Sequence, residues 1–191
     1  MSQAIRHPGA GGRAPAVRRR RAASVAPTFV ALDFETADSG RDSACALGLV
    51  RVEAGRVTRR EQRLIRPPRK RFQFSWVHGL EWEDVEHEPP FGEVWTELAP
   101  LLEGAEFLAA HNASFDRSVL EASCAAAHLT PPPLPFECTM RLARRLWQIR
   151  PTRLPNVCTK LGIPLRHHDA GSDAEACARI LIAALREGHA L

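Results

Sequence analysis

The chain has 191 residues, 45% of them hydrophobic, enough for one domain with a sizeable core. No apolar run of about 18 residues occurs, which argues against a membrane-spanning helix, and the basic start lacks the apolar stretch of a secretory signal. The net charge of +4 is uneven: residues 1–27 hold six arginines and no acid, leaving 20 basic against 22 acidic residues in the remainder.

The high pI therefore belongs to the first 27 residues, which are rich in Ala, Gly, Pro and Arg and lack hydrophobic periodicity. They read as a disordered basic arm. Such an arm could hold phosphates, serve as a solubilising extension, or act as an organellar transit peptide. Cys45, Cys124, Cys138, Cys158 and Cys177 are odd in number and form no Cys-x-x-Cys pair. That argues against a disulfide framework and a structural zinc site. They read as buried thiols in a reducing, cytoplasmic setting.

The body begins near Thr28. Residues 28–36 are rich in strand formers and predict a central strand. Residues 44–52 and 56–65 predict a hairpin joined at Glu53-Ala54-Gly55. The Arg66-Pro67-Pro68 segment stops it. After Pro89-Pro90, apolar positions 91, 94, 95 and 98 predict a helix over 91–102. A short apolar strand over 106–110 feeds a helix over 113–128, and residues 131–135 read as a loop. Helices are predicted over 138–149, 154–161 and 173–186, the last with Ser172 and Glu175 as a capping box. A hairpin followed by strand–helix alternation predicts an α/β fold with a mixed sheet flanked by helices.

Asp33 and Glu35 lie two apart on a strand, so both side chains leave one face while Phe34 enters the other. Two adjacent carboxylates in an apolar strand suit a divalent cation or a strand end facing water. Asp173 falls on the inward stripe of its helix, with positions 177, 180, 181 and 184. It also suits the positive end of the helix dipole. Asp116 has the same two readings, dipole partner or metal ligand. Asn112 caps that helix or contacts a substrate phosphate. His168 lies five residues before Asp173 in a loop that Gly171 makes flexible. His111 and His128 are assigned structural roles.

Asp33-x-Glu35-Thr36, His111-Asn112-x-x-Phe115-Asp116 and His168-x-Ala170-x-x-Asp173 resemble the three motifs of the DEDDh (DnaQ-like) exonuclease family. The residues from Trp76 to Asp84 and from Pro89 to Trp95 also resemble this family's link between third strand and first helix. The resemblance covers about residues 28–185, so 28–191 is expected to be an exonuclease domain. It implies an RNase H-like fold with a mixed five-stranded sheet. It implies 3′–5′ removal of nucleoside monophosphates from nucleic acid, with single-stranded DNA the expected substrate. It also implies two divalent ions, Mg²⁺ or Mn²⁺, held by Asp33, Glu35, Asp116 and Asp173, with His168 rather than His167 as the base. By analogy, Thr36 and His78 line the pocket of the terminal nucleotide.

The family's replicative proofreading subunits carry a polymerase-binding C-terminal extension, and this chain ends soon after its last helix. A stand-alone enzyme is therefore expected, with nucleic acid 3′ ends as its partner and no membrane. An oligoribonuclease-like enzyme is the runner-up, and an inactive nucleic-acid-binding relative the third reading. With no tyrosine present, base stacking would fall to Phe34, Phe72, Phe74 or Trp76.

Overall fold

The structure, a computed structural model, describes residues 26–189. The basic arm expected over 1–27 thus lies outside the described residues except for its last two positions. Strands β1 (Phe29–Thr36), β2 (Ala44–Glu53) and β3 (Arg56–Leu64) lead into the one-turn helices α1 (Ser75–His78) and α2 (Trp82–Val85). Helix α3 (Phe91–Leu98), β4 (Phe107–Ala110), α4 (Ala113–Ala126), β5 (Phe136–Cys138), α5 (Thr139–Trp147), α6 (Leu154–Leu161) and α7 (Ala170–Arg186) follow. No helix among the described residues is long and apolar enough to cross a membrane.

The five strands form one mixed sheet in the order β3-β2-β1-β4-β5. β1 pairs antiparallel with β2 and parallel with β4, and β5 extends the parallel side. The expected mixed sheet with flanking helices is what the chain forms. Alternation along β1 divides the core in two. Phe29 and Ala31 pack with α5, α6 and α7, whereas Val30, Leu32 and Phe34 pack with α3 and α4. Asp33 and Glu35 continue the face covered by α7.

α7 approaches that face closely because β2 carries a glycine opposite Asp33. Gly48 pairs in register with Asp33. A Cβ there would overlap the backbone of Ala170 and Gly171 at the start of α7. Gly48→Ala is expected to destabilise the fold by about 1–3 kcal/mol, because backbone cannot yield as a side-chain tip does. Chemical denaturation checks this; a variant as stable as the parent would contradict the packing.

Several boundaries differ from the sequence expectation. The helix over 91–102 stops at Leu98 and tightens into a 3₁₀ turn over Ala99–Leu102, where Pro100 lacks an N–H to continue the α ladder. The five strands that the resemblance implies are all present, but residue patterning does not locate the fifth; β5 is three residues long and its pairing comes from β4. α7 starts three residues early, and its cap is Asp169, whose carboxylate accepts from the Ser172 N–H at 2.8 Å. The Ser172–Glu175 capping box does not form. The Ser172 hydroxyl accepts from the Arg166 N–H, and Glu175 pairs with Arg60 and Arg179.

Candidate active site

The cleft lies beyond the carboxyl ends of the parallel strands β1 and β4, where open α/β sheets commonly place ligands. Its volume is about 800 Å³. All the residues nominated from sequence line it: Asp33, Glu35, Thr36, His78, Asn112, Asp116, His168 and Asp173. Carboxylate oxygens of Asp33, Glu35 and Asp173 lie within 4.8 Å of one another. A second trio at the same spacing joins Asp173 to His167 and His168.

Each acid is held differently. Asp116 is 2% exposed on the first turn of α4, and its Oδ1 accepts from the Phe34 N–H at 3.1 Å. This bond ties α4 to β1 beside Asp33 and Glu35. Asp173 is 3% exposed, and its Oδ2 accepts from His167 Nδ1 at 2.9 Å and from the His168 N–H at 3.1 Å. Its Oδ1 is buried with no hydrogen-bond partner among the described residues. An acceptor in that state costs free energy unless a cation or water meets it.

The electrostatics agree. Burial, and then repulsion from Asp116, Asp173 and Glu35, push the Asp33 carboxyl well above its ordinary range. Glu35 is raised to about 7, by burial first and then by Asp173 and Asp116. Asp116 also rises to about 7 through burial, opposed by the Phe34 N–H and by Arg41. Burial raises Asp173 against the pull of His168 and His167. Four acids that cannot readily ionise together, one with an orphan oxygen, fit divalent cations well.

A stability prediction follows from these shifts. In the folded state Glu35 and Asp116 keep their protons up to about 7, whereas unfolded carboxylates lose theirs near 4. Their contribution is present below about pH 4 and is lost as pH rises through about 7. In a chelator the melting temperature is expected to be lower at about pH 8 than at about pH 5, and a divalent cation to reverse the loss at the higher pH. Thermal melts check both; equal melting at both pH values would contradict the charge crowding.

The histidines separate by their partners. His111 uses both ring nitrogens, Nε2 donating to the Thr152 carbonyl and Nδ1 accepting from the Thr139 hydroxyl, each at 2.9 Å. That is the structural role expected of it. At His78, Nδ1 accepts from the Leu80 N–H, which leaves Nε2–H to donate to the Thr36 carbonyl at 3.2 Å. Its nitrogens thus serve backbone, and its ring lines the cleft. His168 has a left-handed backbone, φ 68°, and its ring stacks on His167 at 3.7 Å between centroids. Burial and then His167 lower its pKa, so it is neutral at neutral pH.

Sequence reasoning misses the contact between His167 and Asp173; adjacent histidines offer no local signal for which ring meets a carboxylate. It also misses Arg144 and Arg153, which line the cleft from α5 and the α5–α6 loop. Asn112 occupies the cap position of α4 with φ 71° but makes no side-chain cap bond. Of its two expected roles, capping is therefore not used. Among the aromatic candidates, Phe34 is buried against Phe91, Phe74 lines the cleft, and Trp76 is 84% exposed outside its lining.

A family model described as "Exonuclease" matches residues 30–181. The DNA polymerase III PolC-type protein of Thermotoga maritima is 33% identical over 159 residues, covering 81% of this chain and 12% of that protein. Exodeoxyribonuclease 10 of Escherichia coli K12 is 36% identical over 145 residues, covering 70% of this chain and 58% of that protein. The chain thus spans only part of these relatives. A structure of exonuclease X in complex with 5′ overhanging duplex DNA superposes with TM-score 0.68 at 26% identity, covering 85% of this chain and 94% of that one. The nuclease domain of 3′hExo, a DEDDh family member bound to rAMP, shares the fold with TM-score 0.73 at 19% identity, covering 87% of this chain and 96% of that one. With a match running from β1 into α7, the chain belongs to the exonuclease family.

Proposed function

We propose that the protein is a metal-dependent 3′–5′ exonuclease that removes nucleoside monophosphates from single-stranded DNA, with residues 28–191 as its exonuclease domain. The observation that carries this is the trio Asp33, Glu35 and Asp173, close together and crowned by the orphan Asp173 Oδ1. Support for DNA comes from the names of the relatives, which are those of deoxyribonucleic acid enzymes. Five buried, unpaired thiols support a cytoplasmic setting.

Asp33, Glu35 and Asp173 would hold one ion, and Asp33 with Asp116, through water, the other. Oxygen donors suit Mg²⁺ or Mn²⁺. Bound there, such ions would lower the pKa of water and offset charge on the departing oxygen. His168 accepts the proton of the attacking water on a ring nitrogen, which its neutral state permits. As the water oxygen bonds to phosphorus, the bond to the 3′ oxygen of the preceding nucleotide breaks. Thr36 and the His78 ring flank the terminal nucleotide, and Asn112, exposed at the head of α4, faces its phosphate.

The test uses single-stranded DNA, duplex DNA and short RNA, each labelled at the 3′ or 5′ end, with Mg²⁺ or Mn²⁺. A 5′-labelled single strand should shorten into a ladder while the 3′ label leaves as a mononucleotide. Immediate release of the 5′ label, or faster loss from RNA, would overturn the polarity or the sugar preference.

A further inference from the structure

Beyond the metal-ligating floor, the cleft has a cationic wall, and we infer that Arg144 and Arg153 form a subsite for a backbone phosphate of the substrate strand upstream of the scissile bond. The inference rests on the exonuclease reading above and extends it to the part of the strand that is not cleaved.

Arg144 projects from α5 and Arg153 immediately precedes α6; both are exposed and both line the cleft. Neither has a carboxylate partner among the described residues. Arg60, Arg63 and Arg69, elsewhere on the surface, are each neutralised by Asp or Glu within 3.0 Å. An uncompensated pair of guanidiniums facing a carboxylate floor suits a polyanion that must approach that floor.

On this wall, Arg144 is held in place by hydrogen bonds. Arg144 donates through Nε at 3.3 Å and Nη2 at 3.2 Å to the Thr152 hydroxyl, which donates in turn to the Ile149 carbonyl. Thr152 is 7% exposed, and its carbonyl accepts from His111 at the end of β4. This chain fixes the Arg144 guanidinium relative to the strands that carry the acids and leaves Nη1 without a protein partner among the described residues. A planar, preoriented guanidinium favours the oxygens of a phosphodiester over a point anion.

Two measurements test this. The first is binding of a fluorescent single-stranded oligonucleotide, followed by anisotropy across a salt series in Ca²⁺. Arg144→Gln and Arg153→Gln should each weaken binding and lower the log–log salt slope, and the double variant should reduce it by about 0.7, the value for one phosphate on a single strand. Arg144→Lys and Arg153→Lys should restore most of the slope. The second is hydrolysis with Mg²⁺ of that oligonucleotide and of the p-nitrophenyl ester of thymidine 5′-monophosphate, which has no upstream phosphate. The Gln variants should raise KM for the oligonucleotide several-fold and affect the ester far less. An unchanged slope, or equal losses on both substrates, would overturn the subsite. A parent that binds with an arginine-dependent slope yet hydrolyses neither substrate would overturn the exonuclease reading while leaving the subsite standing.

Discussion

Asp33→Ala and Asp173→Ala are each expected to reduce hydrolysis to background while the protein remains cooperatively folded. Both remove an oxygen from the trio that would hold a cation. In the metal-free protein the loss of Asp33 should cost no stability, whereas the loss of Asp173 leaves His167 Nδ1 and the His168 N–H without their acceptor. Asp33 is raised by burial and by three neighbouring acids, so its deletion relieves repulsion. In a chelator its alanine variant should melt at or above the parent temperature. Asp116 behaves differently, because its Oδ1 accepts from the Phe34 N–H. Asp116→Ala would strand that buried donor at a cost of about 1–3 kcal/mol, whereas Asp116→Asn keeps an acceptor there. Steady-state hydrolysis beside thermal melts decides the matter. Normal turnover in either the Asp33 or the Asp173 variant would sink the site assignment, and a collapsed fold would make those carboxylates structural.

His168→Ala is expected to slow hydrolysis by about 10²–10⁴-fold, the usual worth of a positioned general base. The substitution isolates the ring, because the bond from residue 168 to Asp173 comes from the backbone N–H and survives. His167→Ala should be milder. It removes one of the two donors to Asp173 Oδ2 and leaves the other. Its loss should therefore appear as a higher ion concentration for half-maximal rate, since partners of a metal ligand set the ligand's orientation. Rate against pH and against Mg²⁺ concentration separates the two effects. A larger fall in maximal rate for His167→Ala than for His168→Ala would reverse the assignment of the base.

Much of the site is legible in residue spacing. Strand pleating alone places Asp33 and Glu35 on one face, and the helical stripe of 173, 177, 180 and 181 turns Asp173 inward. Those are local, covalent consequences of where the residues fall along the chain. Residues whose partners are distant are not legible in this way. Spacing predicts that Glu175 caps α7, but Arg60, 115 residues away, takes its carboxylate. Asn112 is expected to cap α4 or meet substrate, and its left-handed backbone makes no side-chain cap bond. β5 has too few residues for periodicity to declare itself, and only pairing with β4 makes it a strand.

The sequence by itself determined the order of the longer elements, though not β5 or the one-turn helices α1 and α2, together with the faces that carry Asp33, Glu35 and Asp173 and the family resemblance in the spacing of three motifs. Local geometry repeats every 2 or 3.6 residues, so spacing suffices for such properties. The tertiary structure alone decided that Gly48 lets the start of α7 reach the backbone opposite Asp33, and that His167 rather than the His168 ring contacts Asp173. It also set Arg144 and Arg153 on the wall of the same cleft. Each is a contact between segments far apart in the chain or a choice between adjacent side chains. Packing and hydrogen-bond competition settle such contacts, and no local period records them.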